Sequence, residues 1–187
     1  SISSREMDQQ GIAVETITRV AERVAPLSPT TLTLHVPYNE TSSDEDDVKS
    51  WQERAIKNLT KILDNGIPGH LISIENLDYP FEFLVPIISE LGLTICLDCG
   101  HLILQGDDIE EFFNTYSAKT AIIHLYGVAQ NHFHNALDQL PEKSMAPIMR
   151  LLARFNGIVS MEVFSYADLN ASLKFMEKRW HHQQTAI

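Results

Sequence analysis

The stretch TICLDCGHLIL, Thr94 to Leu104, opens as an apolar run of strand-forming residues and then presents Asp98, Gly100 and His101 in close succession. Packing alone gives a buried strand no reason to finish on a carboxylate and an imidazole, because burying either group is costly unless it is paired. One polar strand end decides little. The fold turns on whether neighbouring segments end the same way.

Upstream, LISIEN (71–76) is a second strand-like run. It is followed by YPFEFLVPIISELG, a short helix with Pro80 near its start and Gly92 at its end. Further upstream, TLTLHV (31–36) reads as a strand. Residues 5–25 read as a helix, with apolar positions at helical spacing. The acidic NETSSDEDD (39–47) leads into another helix that runs to about Leu63, with Gly66 as its C-cap. Downstream, DIEEFFNTYSA (108–118) reads as a helix and TAIIHLYG (120–127) as a strand. Residues around 142–155 form a helix, GIVSMEVFS (157–165) a strand, and a last helix follows Asp168. Such alternation predicts βαβ units and a parallel sheet.

Successive strand side chains point to opposite faces. One face collects Leu32, Leu34, Ile72, Ile74, Ile95, Leu97, Ile123, Leu125, Val159 and Met161. The other collects Thr33, His35, Ser73, Glu75, Thr94, Cys96, Asp98, Ile122, His124, Ser160 and Glu162, a mostly small or polar set. An open sheet covered by helices on both sides is apolar on both faces. One greasy face and one polar face instead fit a barrel, whose chemistry sits at the C-terminal strand ends. The expected fold is α/β, a (β/α)8 TIM barrel represented by about five parallel strands. Residues 1–187 are expected to form one domain, the C-terminal part of a larger barrel, because the chain opens without Met close to its first helix.

Composition narrows the function. The chain has 14 Lys and Arg against 25 Asp and Glu, a net charge of −11, which disfavours a phosphate-backbone partner. No apolar run is long enough to span a bilayer and the polar N-terminus has no signal-peptide pattern, so neither nucleic acid nor membrane is an expected partner. With only Cys96 and Cys99 there is no disulfide framework, and a cytoplasmic protein acting on a small molecule is the expectation.

The polar mouth therefore holds His35, Glu75, Asp98, His101, His124 and Glu162, with His132 and His134 just beyond the fourth strand. Mixed carboxylates and imidazoles suit a divalent metal such as Zn, Mn, Fe or Co better than Mg. Each residue also has a plainer reading. A lone strand His is more often a hydrogen-bonded core residue, Glu75 an ordinary ion-pair partner, and HFH (132–134) a surface run. Cys96 reads as packing, and the C-x-x-C as a poor redox motif because it normally opens a helix. His70, His181 and His182 read as solvated, and SSDEDD as a helix N-terminus favoured by the macrodipole.

Glu75 in ISIEN, Asp98 and His101 in CLDCGH, His124 in IIHLYG and Glu162 in VSMEVF together resemble the xylose-isomerase-like barrels, which include sugar-phosphate isomerases/epimerases and endonuclease IV. The longer stretches ISIENLDYPFE, CLDCGHLIL, IIHLYGV, HNALDQLP and VSMEVFS are similar to the cobamide-remodelling phosphodiesterases. The resemblance implies a metal held by Glu75, Asp98, His124 and Glu162, with His35, His101 and His134 as further ligands. It implies Glu75, Glu162 and His101 as catalytic groups. It also places the first three barrel strands before Ser1, leaving an open edge through which copies of the chain would self-associate. The Arg that sugar epimerases usually carry soon after the His strand is absent from GVAQNHFHNAL.

Three functions follow as expectations. The first is metal-dependent phosphodiester hydrolysis, with cobamide nucleotide loops as a substrate. The second is sugar or sugar-phosphate isomerisation or epimerisation with one metal and two Glu acid/bases. The third is an inactive, self-associating partial barrel.

Overall fold

The computed structural model describes residues 1–129 and 132–185, and these form two compact units, Ser1–Cys96 and Leu97–Ile187.

In the first unit, α1 (Met7–Val24) leads to β1 (Leu32–Leu34), α2 (Glu45–Asp64), β2 (Ile72–Glu75), α3 (Val85–Glu90) and the start of β3 (Thr94–Asp98). β1, β2 and β3 pair in parallel, with Leu34 opposite Ile74 and Glu75 opposite Cys96. Strand alternation separates an apolar from a polar face, but both faces are buried: Ser73, Glu75, Cys96 and Asp98 are as enclosed as the apolar set. Ile72, Ile74, Ile95 and Leu97 are all at most 2% exposed and form the apolar face. Helix α2 buries Trp51, Ala55, Leu59 and Ile62, an i, i+4, i+8, i+11 stripe, and packs on α1 and α3.

The acidic run does start α2. Asp44 is the N-cap, its side chain accepting from the Asp47 N–H at 2.9 Å, and Glu45, Asp46 and Asp47 occupy the positive end of the helix. The enclosed Glu40 carboxylate in the preceding loop accepts hydrogen bonds from Arg5 and Arg54, which ties the loop to the segment before α1 and to α2. Asp44→Ala is expected to cost about 1 kcal/mol, the usual value of such a cap. In a chain of this length that lowers Tm by roughly 2–4 °C in a thermal melt.

The second unit continues from the end of β3 through α4 (Cys99–Gln105), α5 (Ile109–Tyr116), β4 (Thr120–Leu125), β5 (Gly127–Ala129), β6 (His132–Asn135), α6 (Glu142–Leu152), β7 (Ile158–Met161) and α7 (Tyr166–Thr185). β4 and β7 pair in parallel, His124 opposite Ser160, while β5 and β6 form an antiparallel hairpin. Leu97, Ile123, Leu125, Leu137, Ile148 and Leu151 are fully buried in one apolar cluster of this unit.

Two elements were not expected from the sequence. Helix α4 starts directly at the end of β3, so His101 lies in a helical turn and not at a strand end. The hairpin β5–β6 occupies a stretch that reads as a loop. The last strand is also shorter than expected, which leaves Glu162 one residue past β7. β7 is half open to solvent, with Val159 42% exposed, so the apolar face fades here. Among the described residues no helix is long and apolar enough to cross a membrane.

Candidate metal centre

In the second unit three elements bring acidic and imidazole groups together. Asp98 closes β3 and is fully buried. Its Oδ1 accepts the His101 N–H at 2.8 Å, so the carboxylate is also the N-cap of α4. Gly100 lets the Tyr126 ring lie against the start of α4. A Cβ there would stand 2.3 Å from the ring of Tyr126, which is itself buried. In β4, Ile123 and Leu125 turn into the core, so His124 faces the other way and is 8% exposed. Glu162 extends the β4–β7 pairing by one step, its N–H donating to the Leu125 carbonyl at 2.9 Å.

His124 Nδ1 lies 3.1 Å from Glu162 Oε2 and 3.8 Å from Asp98 Oδ2, and His134 Nδ1 lies 3.8 Å from Glu162 Oε2. One ligand atom each from Asp98, His124 and Glu162 falls within 4.8 Å of the others. Ligands bound at about 2.0–2.2 Å from one ion lie roughly 3–4.4 Å apart, so these donors are close to a coordinating arrangement. Glu162 Oε2 is enclosed yet accepts no hydrogen bond. An enclosed carboxylate oxygen without a hydrogen-bond donor is suited to contact with a cation. The donor set thus fits a divalent metal, and two carboxylates with an imidazole match the borderline ions anticipated from the sequence.

The first unit carries a separate cluster. The parallel register sets position 35, one past β1, beside Glu75 at the end of β2. His35 Nε2 lies 3.1 Å from Glu75 Oε2, and Cys96 Sγ lies 3.8 Å from the same oxygen. Glu75 is 2% exposed, whereas the His35 side chain is 56% exposed, so the carboxylate is deep and its partner is open to solvent. Glu75 and Cys96 are therefore neighbours across the ladder, and Asp98 follows Cys96 by two residues on the same strand face.

His101 stands in the first turn of α4, where its backbone meets Asp98. The side chain of His132 lies outside the described residues. Cys99 does open a helix, but it is buried, and desolvation with the neighbouring Asp98 pushes its thiol well up, which disfavours the thiolate. Two residues at the centre escaped the sequence reading. Tyr126 and Phe164 flank the His134 ring at centroid distances of 4.3 and 4.5 Å. Their signal was an aromatic two residues after each of the ligand candidates His124 and Glu162.

The chain shares its fold, parallel strands alternating with helices as in part of a TIM barrel, with several solved structures. A D-tagatose 3-epimerase-like protein matches with 16% identity over 100% of this chain and 75% of its own, at a TM-score of 0.74. The 3-keto-D-glucoside 4-epimerase YcjR from E. coli matches with 14% identity over 95% of this chain and 74% of its own, at 0.70. Endonuclease IV from Thermus thermophilus matches with 17% identity over 94% of this chain and 72% of its own, at 0.69. No family model matches the sequence, and no curated protein matches it by sequence.

Proposed function

We propose that the chain is an enzyme, a divalent-metal-dependent isomerase or epimerase of sugars or sugar phosphates. The observation that carries this reading is the convergence of Asp98, His124 and Glu162 on one point of the second unit. Support comes from the epimerases among the proteins of similar fold. The reading takes residues 1–187 as one barrel-type domain, the C-terminal part of a larger barrel. Glu75 is counted with the three on the strength of the sequence resemblance of its ISIEN motif.

In this reading Asp98, His124, Glu162 and Glu75 would hold the metal, which when bound would supply Lewis-acid polarisation of a substrate carbonyl. Glu75 and Glu162 would be the two acid/bases. One takes the proton from the carbon beside the carbonyl, and the other returns a proton to that carbon. His35, 3.1 Å from Glu75, steadies the charged carboxylate and, being open to solvent, gives its proton a route out. His101 is the remaining acid/base candidate.

A second reading, phosphodiester hydrolysis with cobamides as the candidate substrate, is favoured by one specific feature. Imidazoles stand beside both glutamates, His35 at Glu75 and His134 at Glu162, and endonuclease IV is among the similar folds. Extra donors of this kind suit paired cations that activate a water and clamp a phosphate.

Metal content per chain and solvent deuterium uptake into a ketose panel, measured together, separate the two. One equivalent with deuterium at the carbon beside the carbonyl is the expected result, and Glu75→Gln should lower that exchange by at least about 100-fold. Two equivalents with cleavage of an activated phosphodiester, and no deuterium uptake, replace the first reading with the second. A chain that takes up no metal removes both.

A further inference from the structure

Glu162 lies beyond the last residue of β7, so its orientation is not set by the strand itself. Its N–H is anchored by the Leu125 carbonyl. Its own carbonyl is met by His134 Nδ1 at 3.0 Å. A carbonyl oxygen only accepts, so the proton of a neutral His134 ring sits on Nδ1 and the lone pair falls on Nε2.

The ring has little freedom to do otherwise. It is held between Tyr126 and Phe164, and the His134 backbone has φ of +59°, in the left-handed region that few residues other than Gly, Asn, Asp and His adopt. The hairpin β5–β6 imposes this shape. Gly127 pairs with Asn135 directly after His134, and the Gly127 Cα approaches the Ala136 carbonyl so closely that no side chain fits.

We infer that His134 is a positioning residue: it grips the Glu162 peptide carbonyl and so presets the Glu162 carboxylate beside His124. This rests on the reading of Glu162 as a metal ligand. It assigns His134 a different role from that implied by the sequence resemblance. The nitrogen nearest the ligand oxygens, Nδ1 at 3.8 Å from Glu162 Oε2, is the one that carries the proton and is thereby closed to a metal.

The test is Mn²⁺ binding by calorimetry to the full chain, with His134→Ala and His134→Asn compared to the parent. Asn keeps an N–H donor near the Nδ1 position and accepts the left-handed backbone. His134→Ala should weaken binding about 10–100-fold, the usual effect of a group that orients a ligand, and His134→Asn should recover most of the loss. Equal losses in both variants would mean that the ring itself coordinates, which overturns the inference, as would no loss in either. Amide hydrogen exchange at Glu162 in the metal-free protein is the second readout. Exchange should quicken in His134→Ala and return towards the parent rate in His134→Asn. Should the parent bind no Mn²⁺, the proposed function falls and this exchange pattern alone decides the clamp: unchanged rates in the Ala variant overturn it.

Discussion

Asp98→Asn is expected to abolish metal binding while leaving the metal-free chain at least as stable as the parent. The two oxygens of Asp98 have different tasks. Oδ1 accepts from His101 N–H and starts α4, and an Asn carbonyl oxygen can take over that bond. Oδ2 lies 3.8 Å from His124 Nδ1, in the ligand cluster, and there the charge is what matters. Removing it also relieves the repulsion between two carboxylates buried near each other without a cation. The loss of affinity should exceed the roughly 100-fold that marks the upper end for outer partners. Thermal melts with and without Mn²⁺ read both effects. At a hundred times the dissociation constant a bound metal adds about 2.7 kcal/mol, which for this chain length raises Tm by roughly 5–10 °C. The parent should show that rise and the variant none. A variant with the full rise would remove Asp98 from the ligand set.

The second large effect is expected at Gly127. A Cβ there would meet the Ala136 carbonyl oxygen at 2.0 Å and its carbon at 2.8 Å, with the Asn135 oxygen at 3.1 Å. All three are backbone atoms of the hairpin and its exit, so no side chain can swing aside. Gly127→Ala should cost about 3 kcal/mol or more, the upper range for overpacking, and lower Tm by roughly 6–12 °C. Because the same hairpin carries His134, whatever protein remains folded should also bind metal more weakly. A Tm within about 2 °C of the parent would mean that β5 and β6 can separate at that pair without loss.

The strands were legible because they depend on a period of two that few other arrangements mimic. Ile72/Ile74 and Ser73/Glu75, like Ile123/Leu125 and His124, take opposite faces of their strands, although both faces are buried. The Asp44 cap, and the positive φ of Gly66 and Gly92 after α2 and α3, were legible for the same kind of local reason. Helix α4 was not. Its seven residues, CGHLILQ, mix β-branched and apolar types, and the cap that starts it is also a ligand candidate, so the functional signal hid the structural one. The trace it left was an Asp98 N-cap followed eight residues later by Gly106 at φ +79°. The hairpin was missed because runs of three and four residues are too short to show a period. With it went the role of His134, whose partner is a backbone carbonyl, a group identical at every position and so invisible to any pattern of side chains.

Gly100 and Tyr126 have a consequence for how this sequence can drift. The space a side chain would need at position 100 is filled by the tip of a phenol ring that also packs, tilted, against His134. Position 100 is therefore free to grow only in lineages where position 126 has already shrunk, and a lineage that shrinks 126 first surrenders one wall of the imidazole's slot. The two positions should change together or not at all.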